Sequence, residues 1–132
     1  PLIPHVDAAT GSLGQGLAIA AGVALAAKRI EKRAYRVWCL LGDSEMAEGS
    51  VYEAMAVAAE YGLDNLIAIV DVNKLGQRGE TALGHDLAAY AARAAAFGWK
   101  VIIVDGHDVA QVDDAYAQAV AHTGSPVCIL AR

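Results

Sequence analysis

Four short stretches of the chain are almost continuously apolar and rich in β-branched residues: 37–41, 66–70, 101–104 and, just after Pro126, 127–130. Runs of this length without polar alternation predict strands covered on both faces, as in a parallel sheet. The segments between them carry apolar residues at helical spacing and predict helices over 13–30, 51–61, 87–97 and 109–121. Gly62 and Gly98 stand where helices should stop, and Ser50 and Asp108 where they should start. A helix–strand order repeated four times predicts an α/β fold, a parallel β-sheet flanked by helices and joined by right-handed crossovers. No repeat, low-complexity segment or linker divides residues 1–132, which read as one domain or part of one.

The first predicted helix carries a second message. Residues 17–27 are apolar on every face, and such a helix does not lie on the outside of a lone domain. Either the sheet and its neighbours enclose it, or another subunit covers its outer side; in a chain this short the second reading is preferred.

Ligands of open α/β sheets collect at the carboxyl ends of the strands. Here the first three predicted strands run into Gly42-Asp43-Ser44-Glu45, Asp71-Val72-Asn73 and Asp105-Gly106-His107-Asp108. If the first two strands are parallel neighbours, Asp43 and Asn73 share one rim. A carboxylate and an amide carbonyl are hard oxygen ligands for Mg²⁺ or Ca²⁺, too few for a closed cage but suited to a cation that bridges protein to a diphosphate. Gly42 is expected to let the chain turn sharply off its strand, and Gly49 lies near a helix start whose free N–H groups favour phosphate. A second cluster, Gly11-Ser12-Leu13-Gly14-Gln15-Gly16, opens the first helix and leaves room for a ligand ring against the backbone; its G-x-x-G-x-G spacing is not the dinucleotide fingerprint. Each feature has a plainer reading: Asp43 as a helix cap, Asn73 as a turn residue, Glu48 and Glu53 as solvated charges in the first turns of a helix. His107 is expected to fix its loop, His5 and His85 to lie in loops, and Tyr90, Phe97 and Trp99 to be core.

Composition narrows the partners. Of 132 residues, 56% are hydrophobic and only 6% aromatic, which suits close-packed helices on a sheet rather than an aromatic binding face. A net charge of −5 and a pI near 5.2 argue against nucleic acid as the main partner. Cys39 and Cys128 sit inside apolar runs and are expected to be buried, reduced thiols. The apolar stretch 17–27 is too short to span a bilayer, so no membrane association and a cytoplasmic location are expected. The chain opens at Pro1 without a Met, which marks it as a candidate piece of something longer.

Gly42-Asp43-Ser44, followed some thirty residues on by Asn73, resembles the thiamine diphosphate motif usually written GDG…N. The strings around it resemble transketolases in order and spacing. They are Gly11-Ser12-Leu13-Gly14-Gln15-Gly16, Leu41-Gly42-Asp43-Ser44-Glu45-Met46-Ala47-Glu48-Gly49-Ser50, Leu63-Asp64-Asn65-Leu66, Asp71-Val72-Asn73-Lys74-Leu75-Gly76-Gln77, and Phe97-Gly98-Trp99 with Val104-Asp105-Gly106-His107. The resemblance runs from about Val6 onward. It implies thiamine diphosphate and Mg²⁺ (or Ca²⁺) as cofactors, with Asp43, Asn73 and the Leu75 carbonyl as metal ligands. It implies that the Ser44 backbone faces the diphosphate, that Gly42 and Gln77 lie near the cofactor, and that Gly11, Ser12 and Leu13 lie against the rings. Glu48 and Glu53 match acidic residues that link two active sites across a dimer interface. The implied reaction moves a two-carbon ketol unit between sugar phosphates, in a homodimer or heteromeric assembly. The implied pyrimidine-binding and C-terminal domains are absent from this chain, which is expected to be inactive without the former. Ser44 departs from the motif's glycine; it serves if the site needs only its N–H, and is strained if the site needs a positive φ. Two other readings remain open: another thiamine diphosphate enzyme, of 1-deoxyxylulose-5-phosphate synthase or 2-oxo acid dehydrogenase type, and a non-catalytic α/β binding module.

Overall fold

The computed structural model describes residues 3–132; Pro1, where the chain opens, and Leu2 lie outside the described residues. The elements run in the order α1 (Gln15–Leu25), a π-helical turn (Ala26–Glu31), β1 (Val37–Gly42), a 3-10 turn (Asp43–Ala47), α2 (Gly49–Glu60), β2 (Leu66–Asp71), β3 (Leu75–Gly76), β4 (Gly79–Glu80), α3 (Leu87–Ala96), β5 (Lys100–Val104), α4 (Val109–Ala121) and β6 (Val127–Ala131). The four apolar runs make one parallel sheet in the order β1-β2-β6-β5. β3 and β4 form a separate small hairpin that no hydrophobic pattern announced.

The order explains which face each helix covers. From β1 to β2 and on to β5 the chain steps in one direction, through α2 and then α3; from β5 it steps back to β6 through α4. Right-handed crossovers put a helix on the opposite face when the step reverses. The core divides accordingly. Leu17, Val51, Met55, Ala58, Tyr90 and Ala94 pack with Leu41, Val70 and Leu130 on one side. Ala115 and Ala119 pack with Ile67, Ile102, Val127 and Ile129 on the other.

Strands covered on both faces hold for the central pair, β2 and β6, but not for the edges. Trp38 is 42% and Leu40 72% exposed on the α4 side of β1, while on β5 Ile103 is exposed on the opposite face. A helix about 10 Å wide spans about two strands spaced about 4.8 Å apart, so α4 alone cannot roof four. It reaches β1 through Tyr116, whose ring meets Trp38 edge-on at 5.2 Å.

The helix expected over 13–30 is interrupted. α1 ends at Leu25, and the chain widens into the π turn before Lys32 closes it at φ 55°. In that turn Lys28 donates to the Gly62 carbonyl at 2.6 Å and to Asp64, whose second oxygen accepts from the Gly124 N–H at 3.0 Å. One carboxylate thus fastens the end of α1 to two turns. Leu17, Ala20, Ala21 and Ala24 of α1 are buried, but Ile19 and Val23 are each 44% exposed. The elements of residues 3–132 therefore do not enclose this all-apolar helix completely.

Several punctuation marks fall where expected. Gly62 and Gly98 take φ of 58° and 83° after α2 and α3, and the Asp108 carboxylate caps α4 through the Ala110 and Gln111 N–H groups. Ser50 does not cap α2; Glu48 holds that place, because the 3-10 turn carries the chain past β1 before the helix begins. Tyr90 and Trp99 are buried and Phe97 stacks on Tyr52; the Trp99 indole donates to the Met55 carbonyl at 3.0 Å. Both cysteines are free and buried. Burial pushes the Cys39 thiol up to about 11, aided by the Glu45 charge, and Cys128 up to about 12.

For Asp64, burial raises the pKa, but the Gly124 N–H and the Lys28 ammonium together outweigh it and leave it below the ordinary 3.8. A depressed folded value means that the stabilisation is complete above 3.8 and is lost as pH falls through the lower folded pKa. Urea titrations of the wild type are therefore expected to lose this stability as pH falls below 3.8, and Asp64→Asn to flatten this acid limb. An unchanged acid limb in Asp64→Asn would show that the clamp contributes nothing.

Candidate functional site

The sheet register builds the site. Gly42 of β1 lies opposite Asp71 of β2, so the residues just beyond both strands are brought together, as Asp43 and Asn73 were expected to be. Asp43 begins the 3-10 turn and is 2% exposed, the one buried charged residue among those described. Its Oδ2 accepts from the Lys74 N–H at 3.0 Å and the Thr81 hydroxyl at 2.8 Å. Its Oδ1 is buried with no partner. Leaving a buried acceptor unmade costs about 1–3 kcal/mol, more for a charged group, so such an atom in a native fold needs an explanation.

Asn73 is solvent-exposed and held at both ends of its amide. Its Oδ1 accepts from the Leu75 N–H at 2.8 Å and its Nδ2 donates to Asp71 at 2.9 Å, which fixes the rotamer and leaves one lone pair of Oδ1 free. Between Asn73 and Leu75, Lys74 takes φ 67°, a left-handed conformation that β-branched residues avoid and lysine tolerates at a cost of about 1 kcal/mol. This bend turns the Lys74 N–H back onto Asp43. The hairpin then closes as the Thr81 N–H donates to the Lys74 carbonyl at 3.0 Å.

The glycine cluster joins the site through a residue that sequence reasoning missed. Gly14, at φ 79°, precedes α1 and donates its N–H to Glu45 Oε1 at 3.1 Å; Glu45 Oε2 accepts from the Gly42 N–H at 2.9 Å. The Ser50 hydroxyl donates to the Gly14 carbonyl at 3.1 Å, which is its role in place of capping α2. A Cβ on Gly14 would lie 2.6 Å from that hydroxyl and 2.7 Å from Glu48 Cβ, so the approach admits only glycine. Glu45 stands three residues after Gly42, the spacing of a capping box, and that was the available signal.

Two expectations about the turn are settled by its backbone. Gly42 does not turn sharply: at φ −80°, ψ 154° it continues the strand, and the bend belongs to the 3-10 turn after it. Ser44 is not strained, since among described non-glycine residues only Lys32 and Lys74 have positive φ. The turn is further pinned from α2 and α3, where Arg93 donates to the Tyr52 hydroxyl at 2.9 Å and that hydroxyl donates to the Met46 carbonyl at 2.6 Å.

Between the 3-10 turn, the β3–β4 loop and α3 lies a cleft of about 290 Å³. Of the expected residues it gathers Leu13, Asp43, Ser44, Glu48 and Gln77, and it adds Thr81, Tyr90 and Arg93. Gly11, Ser12, Gly42, Asn73 and Leu75 lie outside its wall, and Glu53 is exposed further along α2. Burial raises the Tyr90 phenol above its ordinary 10.0, and the Asp43 charge adds to this against an opposing hydrogen bond with Thr81. His107 meets Asp105 of its own loop twice, through its backbone N–H at 2.9 Å and its Nδ1 at 3.5 Å, although the side chain is 90% exposed. His5 and His85 lie in exposed loops.

No group of three or more His, Cys, Asp or Glu side chains among the described residues could hold a metal alone. The donor set is instead an orphaned carboxylate oxygen beside an oriented amide oxygen, a hard and incomplete site that fits a divalent cation completed by a ligand. A parallel α/β sheet with such a site at its strand ends defines a ligand-binding domain. The chain belongs to the transketolase family: the model of the "Transketolase, thiamine diphosphate binding domain" matches residues 2–132. Among its relatives, "Transketolase-like protein 2" of Bos taurus is 52% identical over the whole chain, and "Transketolase" of Homo sapiens likewise 52%. The fold matches the crystal structure of transketolase from Campylobacter jejuni with a TM-score of 0.85 at 35% identity over 96% of the chain. It matches transketolase from Leishmania mexicana at 0.86 and 30% over 98%. The chain spans about a fifth (21%) of the length of each of these four proteins.

Glu45 is the joint between the glycine cluster and the strand end. Replacing Glu45 with Ala strips two backbone N–H groups of their acceptor and is expected to lower unfolding free energy by about 2–3 kcal/mol. Chemical denaturation measures this, and a loss under about 0.5 kcal/mol, the range of a neutral surface change, would contradict it.

Proposed function

We propose that this domain holds thiamine diphosphate through a divalent cation, Mg²⁺ or Ca²⁺, and is the cofactor-binding part of a transketolase-type transferase that moves a two-carbon ketol unit between sugar phosphates. The observation that carries this reading is the buried Asp43 with one oxygen unpartnered, at a strand end it shares with Asn73.

In this reading Asp43, Asn73 and the Leu75 carbonyl ligate the cation, the Ser44 backbone faces the diphosphate, and Gln77 lies near the cofactor. Gly42 carries no side chain where a Cβ would meet only the Ser44 hydroxyl at 3.8 Å, and nothing stands within 4 Å of a Cβ on Gly11 or Gly49. These open backbone surfaces support close approach by a ligand, with Gly11, Ser12 and Leu13 toward its rings. The protein's part is positional and electrostatic. A chain of net charge −5 would repel a diphosphate, and the cation reverses that sign locally. The chemistry supplied by thiamine diphosphate when bound is a carbon nucleophile that doubles as an electron sink.

The reading extends to partners. The exposed apolar face of α1, with Ile19 and Val23, supports a second subunit packed there, as a homodimer or heteromeric assembly. Glu48 and Glu53, both solvent-facing in this chain, would then link the two active sites. Residues 1–132 form the diphosphate- and metal-binding segment and need a pyrimidine-binding domain to complete the site. Among the described residues no helix is long and apolar enough to cross a membrane, and a cytoplasmic location is part of the proposal.

Calorimetry on the whole protein with thiamine diphosphate and Mg²⁺ tests the ligand set. Asp43→Ala is expected to remove measurable binding. Asn73→Ala should weaken it about tenfold or more, equivalent to at least about 1.4 kcal/mol, and His85→Ala should leave it unchanged. Wild-type binding by Asp43→Ala would sink the assignment. Separately, residues 1–132 alone are expected to show no turnover of a ketose phosphate donor with an aldose acceptor. Turnover by that segment would refute the need for a second domain.

A further inference from the structure

Asp43 is buried among partners that treat its two oxygens unequally. Both donors that reach it, the Lys74 N–H at 3.0 Å and the Thr81 hydroxyl at 2.8 Å, converge on Oδ2. Oδ1 receives none and has no exposed surface, although Asp43 lines the cleft. A carboxylate free to turn about its χ2 would share two donors between its oxygens. Here the donors come from two sides of one loop, the Lys74 bend and the strand end after β4, and the backbone bond from Thr81 N–H to the Lys74 carbonyl at 3.0 Å locks them together. The carboxylate is therefore held in one orientation, with Oδ2 consumed and Oδ1 presented.

We infer that Thr81 is a positioning residue for the cation site: its hydroxyl, with the Lys74 N–H, reserves Oδ1 of Asp43 as the metal-ligating oxygen. The inference rests on the cation reading above and deepens it, since it names which oxygen ligates and what aims it. Thr81 itself does not touch the metal. A ligating carboxylate is commonly oriented by hydrogen bonds from residues outside the coordination sphere, and losing such a partner weakens metal affinity about 10–100-fold. The backbone donor at Lys74 remains in any side-chain variant, which places the expected effect toward the lower end of that range. The Thr81 methyl plays no part in this arrangement, so serine should substitute and valine, which keeps the shape and loses the donor, should not.

The test uses the whole protein with thiamine diphosphate at saturation and Mg²⁺ titrated by calorimetry, on wild type, Thr81→Val, Thr81→Ser and Asp43→Ala. Melting temperatures are recorded with and without Mg²⁺ and thiamine diphosphate. Thr81→Val is expected to weaken Mg²⁺ about tenfold. Thr81→Ser should return it to near the wild-type value, and Asp43→Ala should show no binding. The rise in melting temperature on adding Mg²⁺ should shrink in Thr81→Val. A purely structural threonine would lower the melting temperature of the metal-free and metal-bound protein alike and leave affinity untouched. Wild-type affinity in Thr81→Val, with Asp43→Ala inactive in binding, overturns the positioning role while the cation reading stands. Wild-type affinity in Asp43→Ala overturns both. Should Thr81→Val fail to fold, Thr81→Ala takes its place under the same criteria, with serine rescue still deciding between donor and shape.

Discussion

The structure turns on one buried carboxylate that its own chain satisfies only halfway. Among the described residues Asp43 is the one charge removed from water, and the segments around the site are arranged about it. Removing a carboxylate from solvent is unfavourable by several kcal/mol unless hydrogen bonds or an opposite charge offset it. Two donors on Oδ2 meet part of that cost, and the bare Oδ1 leaves the rest. A fold optimised only for stability would neutralise or replace such a group, because an apolar residue of similar volume packs there without a penalty. Its place at a strand end shared with Asn73 suits the proposed cation, which would supply the missing partner.

Holding that carboxylate requires further local costs. Lys74 accepts a left-handed backbone so that its N–H points inward, and Gly14 takes φ 79° where any side chain would collide with Ser50 and Glu48. Glu45 adds a second carboxylate within the same short turn, with both oxygens engaged by glycine N–H groups. The contrast between the two acids is informative. Glu45 is satisfied at both oxygens and serves architecture, drawing the start of α1 to the end of β1. Asp43 is satisfied at one, and its other oxygen is the one the proposed cation would engage. Incomplete pairing is not confined to the site, since Asn65 Oδ1 is also buried without a partner, but Asp43 is the one buried charge among the described residues.

What the sequence disclosed follows from how far each signal reaches along the chain. The strands were legible because a fully apolar run has few alternatives, and Asp43 with Asn73 because strand-end position converts sequence neighbours of two strands into spatial neighbours. Gly62, Gly98 and Asp108 were legible because a left-handed residue or a side-chain cap is a local necessity. The contacts that complete the site were not. Thr81 reaches Asp43 across 38 positions and Glu45 reaches Gly14 across 31, and neither leaves a periodic trace. The hairpin of two-residue strands is too short to carry an alternation, and the π turn after Leu25 depends on Lys28 finding Gly62 and Asp64 far along the chain. Gly42 misled for a related reason. A glycine at a strand end suggests conformational need, whereas its backbone here is ordinary and only the missing side chain matters.

The sheet's incomplete cover bears on the site in the same physical terms. The parallel order places three helices on one face and α4 alone on the other, so the two central strands are sealed and β1, which delivers Asp43, is not. Its side chains alternate between Cys39 and Leu41 in the sealed core and Trp38 and Leu40 on the open face. The end of β1 is thus held by one face of packing, by its ladder to β2, and by the Glu45 and Tyr52 contacts that pin the 3-10 turn. Those polar ties hold backbone groups directly and so fix the turn that carries Asp43 more narrowly than the apolar packing of Cys39 and Leu41 alone.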